Sequence, residues 1–197
     1  MSIPNVKAAA KPLKIAVAMS GGLDSAVAAA LLKADGHEIV GLTAHLWRDG
    51  SRCCSRDDIA AAQAVAAQLD IRHYVIDALE EFGRAVVEPF LDEYAGGRTP
   101  SPCVICNRAI KFGMLLQCAR DLGCSHLATG HYARTGRTAS IFTLCRGIDA
   151  TKDQSYYLHR LDQHQLAHTI FPLGAWVKKD VGEYARSRNL PVANHGE

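Results

Sequence analysis

The short apolar run at 14–19 (KIAVAM) is closed by Ser20-Gly21-Gly22 and continued by a helix-forming stretch at 24–34. No other feature of the chain constrains the fold as much. It reads as a strand, a tight turn and a helix, and the same alternation repeats downstream. Residues 38–46 read as a second strand. Residues 59–69 read as an Ala-rich helix with Asp57 and Asp58 in its first turn. A third strand at 72–77 (RHYVID) leads to a third helix at 80–94, and a helix over roughly 107–122 precedes a fourth strand at 126–129. Strands separated by helices of this length imply right-handed crossovers and a parallel sheet covered on both faces. Residues 133–144 (ARTGRTASIFTL) differ, because a Thr-Gly-Arg centre flanked by β-formers suggests a hairpin. The tail reads as helical at 154–158, 162–167 and 177–188. Neither an internal repeat nor a low-complexity linker interrupts the chain, so the expectation is one α/β domain over 13–197, with 1–12 as a disordered leader.

Composition narrows the function classes. The 197 residues are 48% hydrophobic, which suffices for an ordinary core, and the formal charge of +2 is nearly neutral. Net charge therefore does not announce nucleic-acid binding, and any RNA contact has to be local. The sequence holds no apolar run of about 18 residues, so no membrane partner is expected. The start lacks the apolar stretch of a secretory signal, and a cytoplasmic location follows as the default. Seven cysteines without an export signal read as thiols, metal ligands or catalysts rather than as a disulfide framework.

Chemistry concentrates first at Ala18-Met19-Ser20-Gly21-Gly22-Leu23-Asp24-Ser25. This stretch sits where a strand ends and a helix begins, the usual ligand-binding edge of such sheets. The two glycines let successive N–H groups turn inward. With the Ser20 and Ser25 hydroxyls and the positive helix end, those donors can hold a pyrophosphate. Asp24 suits the helix dipole and can also hold Mg²⁺. The stretch is neither a Walker loop nor a dinucleotide-binding turn. Its plainer alternative is an ordinary Ser-Gly-Gly turn with Asp24 as a helix cap.

Ser-Gly-Gly-x-Asp-Ser after the first strand resembles the signature of the ATP-pyrophosphatase superfamily. Several further strings resemble one of its families, the tRNA-specific 2-thiouridylases. They are Cys54-Ser55-x-x-Asp58, Gly97-Arg98-Thr99-Pro100-x-Pro102-Cys103-x-x-Cys106-Asn107-x-x-Ile110-Lys111-Phe112, Ala128-Thr129-Gly130-His131-Tyr132-Ala133-Arg134 and Lys152-Asp153-Gln154-Ser155-Tyr156. The resemblance spans about 14–193. It implies a Rossmann-like sheet of the adenine nucleotide alpha hydrolase type with a helical C-terminal portion. It also implies ATP as cofactor, with Mg²⁺, and tRNA and a persulfide sulfur donor protein as partners. The implied reaction adenylates O2 of a wobble uridine and then replaces that oxygen with sulfur from a cysteine persulfide.

Position by position, the resemblance gives ATP to Ala18, Met19, Ser20, Gly21, Gly22, Leu23, Asp24 and Ser25, with Ala44 and Gly130 touching the nucleotide. Cys106 matches the sulfur carrier. Ser101, Pro102 and Cys103 fall where the family meets the target base, and His131, Lys152, Asp153 and Gln154 where it meets tRNA. The residues add their own chemistry. Cys106 is expected just before a helix start at Asn107, with Arg108 and Lys111 in the first turn, and both features lower a thiol pKa. Lys111 or Arg108 can also offset charge on the transferring phosphate. His131 has a bland alternative as a capping or surface side chain.

Two departures from the family pattern matter. Many relatives carry aspartate at position 103, whereas Cys103-Val104-Ile105-Cys106 is here a C-x-x-C pair. Such a pair can ligate a metal or a [4Fe–4S] cluster, or act as a redox couple that closes into a disulfide bond. Cys53-Cys54 are adjacent and chelate poorly, while Cys118, Cys124 and Cys145 read as small hydrophobes. The chain is also expected to stop before the family's second active cysteine and its β-rich tRNA-binding region. Two competing readings remain. Another adenylating ligase of the superfamily would share the glycine turn, and a metal- or RNA-binding module would use only the cysteine pair.

Overall fold

The computed structural model describes residues 12–47 and 55–193. Most of the expected leader, and Cys53 and Cys54, lie outside them. Five parallel strands form the main sheet: β1 Lys14–Ala18, β2 Glu38–His45, β3 Arg72–Asp77, β4 His126–Ala128 and β7 Thr169–Ile170, in the order β3-β2-β1-β4-β7. β5 Ala133–Thr138 and β6 Ile141–Arg146 form the expected hairpin, pairing Ala133 with Arg146 through Thr138 with Ile141. The helices α1 Leu23–Ala34 and α2 Arg56–Gln68 carry the first two crossovers. α3 runs from Leu79–Phe82 through a π-wound Gly83–Val87 to Glu88–Ala95. α4 runs from Pro102–Cys106 through a π-wound Asn107–Leu115 to Leu116–Asp121. α5 Gln163–Ala167 and α6 Lys178–Ser187 follow, with short 3₁₀ turns at Ser155–Leu158 and Pro172–Ala175.

β1 is buried on both faces, as a central parallel strand requires. Ile15 and Val17 join a core layer with α1, α2 and α6, while Ala16 joins Val40, Leu42, Ile110, Leu115 and Leu127 on the other side. Residues Ala26, Val27, Ala28 and Ala29 of α1 are essentially inaccessible. The small side chains let that helix lie close against its neighbours. α2 begins at a capping box, in which the Ser55 hydroxyl accepts from Asp58 N–H and the Asp58 carboxylate accepts from Ser55 N–H. That arrangement satisfies two otherwise orphaned donors.

Two expectations need correction. The fourth long helix starts at Pro102 rather than Asn107, so Cys106 lies inside its first turns and not before its start. Ser101 is the N-cap, and Pro at the first helical position is a standard start signal. The three helical segments expected of the tail are present, the first as a 3₁₀ turn, but the sheet has five strands rather than the four expected, since Thr169–Ile170 pairs beside β4.

Candidate active site

β1 has β2 on one side and β4 on the other, so chain order reverses between β1 and β4. At such a switch point the loops leaving the carboxyl ends diverge and open a crevice. Here Ala18, Met19, Ser20, Asp24 and Ser25 line it from the β1 side, and Thr129, Gly130 and His131 from the β4 side. Leu42, Ala44 and Leu46 close it from β2, Ile110, Lys111 and Leu115 from α4, and Gln154 from the segment after β6.

The glycine turn is tied down before any ligand arrives. Met19 N–H donates to Leu42 O at 2.8 Å, and the Thr43 hydroxyl donates to Met19 O at 2.7 Å. Ser25 closes the turn, accepting from Ser20 N–H at 3.2 Å and donating to Gly22 O at 2.9 Å. Gly21 has φ +78°, and a Cβ there would stand 2.7 Å from Asp58 Cα. Glycine is therefore needed twice over, for the left-handed backbone and for the approach of the α2 capping box. Gly130 is packed as closely, because a Cβ would meet Asp24 C and Ser25 N at 2.7 Å. The first N–H groups of α1 have no partner within the helix, and they face this crevice as an anion site would require.

Asp24 is not solitary. Lys178 Nζ donates to its two oxygens at 2.8 and 2.9 Å, and the Tyr132 hydroxyl donates to Oδ1 at 2.9 Å. Lys178 in turn is placed by its own backbone N–H, which donates to Asp149 at 2.9 Å. That bond, followed by the Thr151 hydroxyl, holds the Asp149 carboxyl below its usual range. Sequence reasoning missed Lys178 and Tyr132. They lie 154 and 108 residues from Asp24, and no local pattern links them.

His131 is enclosed between Phe112 and Phe171, with ring centroids 6.1 and 6.3 Å away, and one edge opens to the crevice. Burial pushes its pKa well below the ordinary histidine value, and the Lys111 ammonium adds to the effect. The imidazole is thus neutral near pH 7, with Nδ1 2.8 Å from the Thr129 hydroxyl. Of the two basic residues expected to serve the phosphate, Lys111 lines the crevice, whereas Arg108 is exposed and outside it.

The π winding of α4 explains how that helix serves the crevice. Ile110 and Leu115 are five apart and line the same cavity, as the i to i+5 repeat of a π-helix allows. The buried Gln165 side chain supports the wide turn, donating to Arg108 O at 2.9 Å and Phe112 O at 3.0 Å. Those bonds satisfy carbonyls that would otherwise be costly to bury.

The cysteine pair occupies the opposite end of α4. Cys103 is exposed and Cys106 is half-buried against the core under β2 and β4. With the helix starting at Pro102, Cys106 no longer stands ahead of a helix N-terminus. No disulfide joins the five described cysteines to one another. Burial pushes the Cys118 and Cys124 thiols up, in keeping with small apolar fillers. Among the described residues no third His, Cys, Asp or Glu joins Cys103 and Cys106, so the described residues do not form a cluster site. A Mg²⁺ ion carried on phosphates would meet one carboxylate, Asp24, which fits the usual habit of that ion.

The remaining candidates divide. Ser101 and Pro102 line a second cavity at the head of α4, with Phe90, Tyr156 and Arg160. Gln154 faces the crevice, and its Oε1 accepts from Tyr132 N–H at 3.0 Å. Asp153 is a turn-former: burial opposes its charge, but bonds from Ser155 and Gly147 prevail and hold it below its usual range. Lys152 is half-buried beside it. Gly22 is the N-cap of α1 and Leu23 its first residue. No helix among the described residues is long and apolar enough to cross a membrane.

Comparison with known proteins agrees with this geometry. The family model described as the tRNA methyl transferase HUP domain matches residues 13–197. A tRNA-specific 2-thiouridylase of Geotalea uraniireducens is 48% identical over 95% of this chain and 53% of its own length. One of Geobacter metallireducens is 50% identical over 93% and 53%. The chain thus spans about half the length of the curated relatives it matches. Among solved structures, NMN synthetase of Francisella tularensis superposes with TM-score 0.56 at 19% identity, over 93% of this chain and 65% of its own. The glutamine-dependent NAD⁺ synthetase of Acinetobacter baumannii, in complex with ADP, gives 0.63 at 14%, over 98% and 34%. These two likenesses speak for the fold alone.

Proposed function

Since the chain belongs to the tRNA methyl transferase HUP domain family, we propose that it is the ATP-using, sulfur-carrying part of a tRNA-specific 2-thiouridylase. What supports the reading is that one helix links the crevice to the cysteine pair. The π-wound part of α4 brings Lys111 into the switch-point crevice, and its first turn carries Cys103 and Cys106.

In this reading the ATP phosphates rest on Ser20, Gly21, Gly22, Leu23, Asp24 and Ser25, with the nucleoside toward Ala44 and Gly130. Asp24 would be the residue to hold Mg²⁺ carried on the phosphates, and the ion would supply positive charge against them. O2 of the target uridine attacks the α-phosphorus and pyrophosphate leaves, so a poor leaving oxygen becomes a phosphate ester. Lys111 offsets charge on the transferring group. The terminal sulfur of a persulfide on Cys106 then attacks C2, and the C2–O2 bond breaks with AMP as the leaving group. The Cys103 thiolate attacks Cys106 Sγ, which frees the 2-thiouridine and leaves a Cys103–Cys106 disulfide. A reductant reopens that disulfide, and a persulfide sulfur donor protein recharges Cys106. Ser101 and Pro102 border the target base. Lys152, Asp153 and Gln154 form the turn along which tRNA passes, and His131 acts from inside the crevice.

Cys106→Ser in the complete protein should abolish tRNA thiolation, read by nucleoside mass spectrometry, with ATP affinity unchanged by calorimetry. Thiolation near the parent level would sink the assignment. Dependence of ATP–pyrophosphate exchange on tRNA separates this reading from an amide-forming ligase. Thiolation that required iron and acid-labile sulfide would move the sulfur from the persulfide to a cluster.

A further inference from the structure

The second cavity lies at the head of α4 and shares no lining residue with the crevice. Phe90, Pro100, Pro102, Tyr156, His159 and Arg160 line it, over a volume of about 420 Å³. We propose that this cleft binds an unstacked nucleotide of the RNA substrate next to the target uridine, with its base on the Tyr156 ring and its phosphate at Arg160. The inference rests on the thiouridylase reading and adds a second nucleotide subsite to it.

Three observations carry it. Tyr156 is 67% exposed, yet its ring is held in place. Its ring meets Tyr157 edge-on at 5.7 Å and His159 at 5.6 Å, and its carbonyl lies 2.7 Å from His159 Nδ1. The turn carrying these rings is also fixed to the cysteine helix. Asn107, buried and next to Cys106, donates from Nδ2 to Tyr157 O at 3.0 Å. The platform therefore keeps a set position relative to the sulfur carrier. Finally, the charge suits a phosphodiester. Arg160 and His159 are exposed at the rim, while the one acidic lining residue, Glu93, is already engaged by Arg98. Exposed, pre-ordered aromatics beside a guanidinium make a base-stacking platform, because every base offers a π face.

The target base has to reach Cys106 and the ATP crevice, and neither Cys106 nor any residue of the crevice lines this cleft, although Ser101 and Pro102, proposed to border that base, line it too. Because Ser101 and Pro102 border both the cleft and Cys103, a strand with its target uridine at the cysteines would lay a neighbouring nucleotide across Tyr156.

The test uses the complete protein and an RNA stem-loop with 2-aminopurine beside the target uridine. Binding should quench the probe in the parent protein and in Tyr156→Phe, but not in Tyr156→Ala. RNA affinity of Tyr156→Ala should fall about 5- to 150-fold, the range of a lost base stack. Arg160→Ala should lower the slope of log affinity against log salt by about one. ATP affinity should hold in all three variants. A parent protein that binds the RNA tightly with the probe unquenched would overturn the cleft alone. So would equal affinity and quenching in Tyr156→Ala, which would leave the aromatic patch as a contact for another protein. A parent protein that bound no RNA would overturn the functional reading as well.

Discussion

The glycine turn after β1 and the cysteine turn at the head of α4 both sit at the start of a helix, yet they are built in opposite ways. Around the glycine turn nearly every polar group is tied. Ser25 closes the loop on itself, Thr43 holds Met19, and Lys178 and Tyr132 hold Asp24. The turn is also wedged between backbones, with Asp58 against Gly21 and Gly130 against the start of α1. At the cysteine turn the Ser101 side chain makes no cap bond and Cys103 stands in the open. On the proposed reading, the first region would present a ready-made pocket to a small charged molecule, and the second would meet a large partner that brings its own surface.

That contrast fails most visibly if Gly21→Ala is mild. A Cβ there meets backbone that cannot swing aside, in a left-handed conformation that alone costs about 1–2 kcal/mol. With overpacking added, the loss should be about 3 kcal/mol or more by denaturant unfolding, together with loss of ATP binding by calorimetry. A loss below about 1 kcal/mol would show that the wedge yields.

Acid sharpens the comparison next. His131 is buried with a lowered pKa, so the unfolded chain takes up a proton that the folded chain refuses. The contribution of this residue is full above the ordinary histidine value of 6.5 and is lost as pH falls below it. The slope can reach about 1.4 kcal/mol per pH unit for one group. His73 and His126, also lowered by burial, act in the same direction. His131→Phe should flatten, without abolishing, the fall of melting temperature between neutral pH and pH 5, read by scanning calorimetry. An unchanged profile would mean that the ring is reached by water.

The strand, turn and helix around the crevice were legible in the sequence, for a physical reason. The apolar run 14–19, the glycines after it and the Ala-rich stretch that follows are local signals, whereas the distant residues that tie the turn down leave no such trace. The switch point itself followed less directly, since it depends on β4 returning beside β1. Lys178 escaped because it reaches Asp24 from the far end of the chain, and side-chain pairing at that range leaves no period to detect. β7 escaped because two residues carry no alternation. The early start of α4 was readable from Ser101-Pro102, an N-cap followed by proline.

The smallest effect belongs to the open end. Cys103→Ser should change stability by less than about 0.5 kcal/mol, as for an exposed position with no structural duty. Thiolation by the complete protein should fall all the same, with uncleaved Cys106-linked RNA accumulating and visible on a non-reducing gel. A stability loss above about 1 kcal/mol would mean that the cysteine turn is as tied as the phosphate loop.

The π-wound stretch of α4 stores slack in chain length. A π turn holds one residue more than the α turn it replaces, so a single deletion between Asn107 and Leu115 would let the segment rewind. The rewound turn would still close one full circle, so Cys103 and Cys106 would keep their facing relative to the crevice. A single deletion in an α-wound part of the helix has no such slack and would turn everything ahead of it by about 100°, the rotation per residue of an α-helix. The π-wound stretch thus absorbs a change in length that the rest of α4 would pass on to the cysteines.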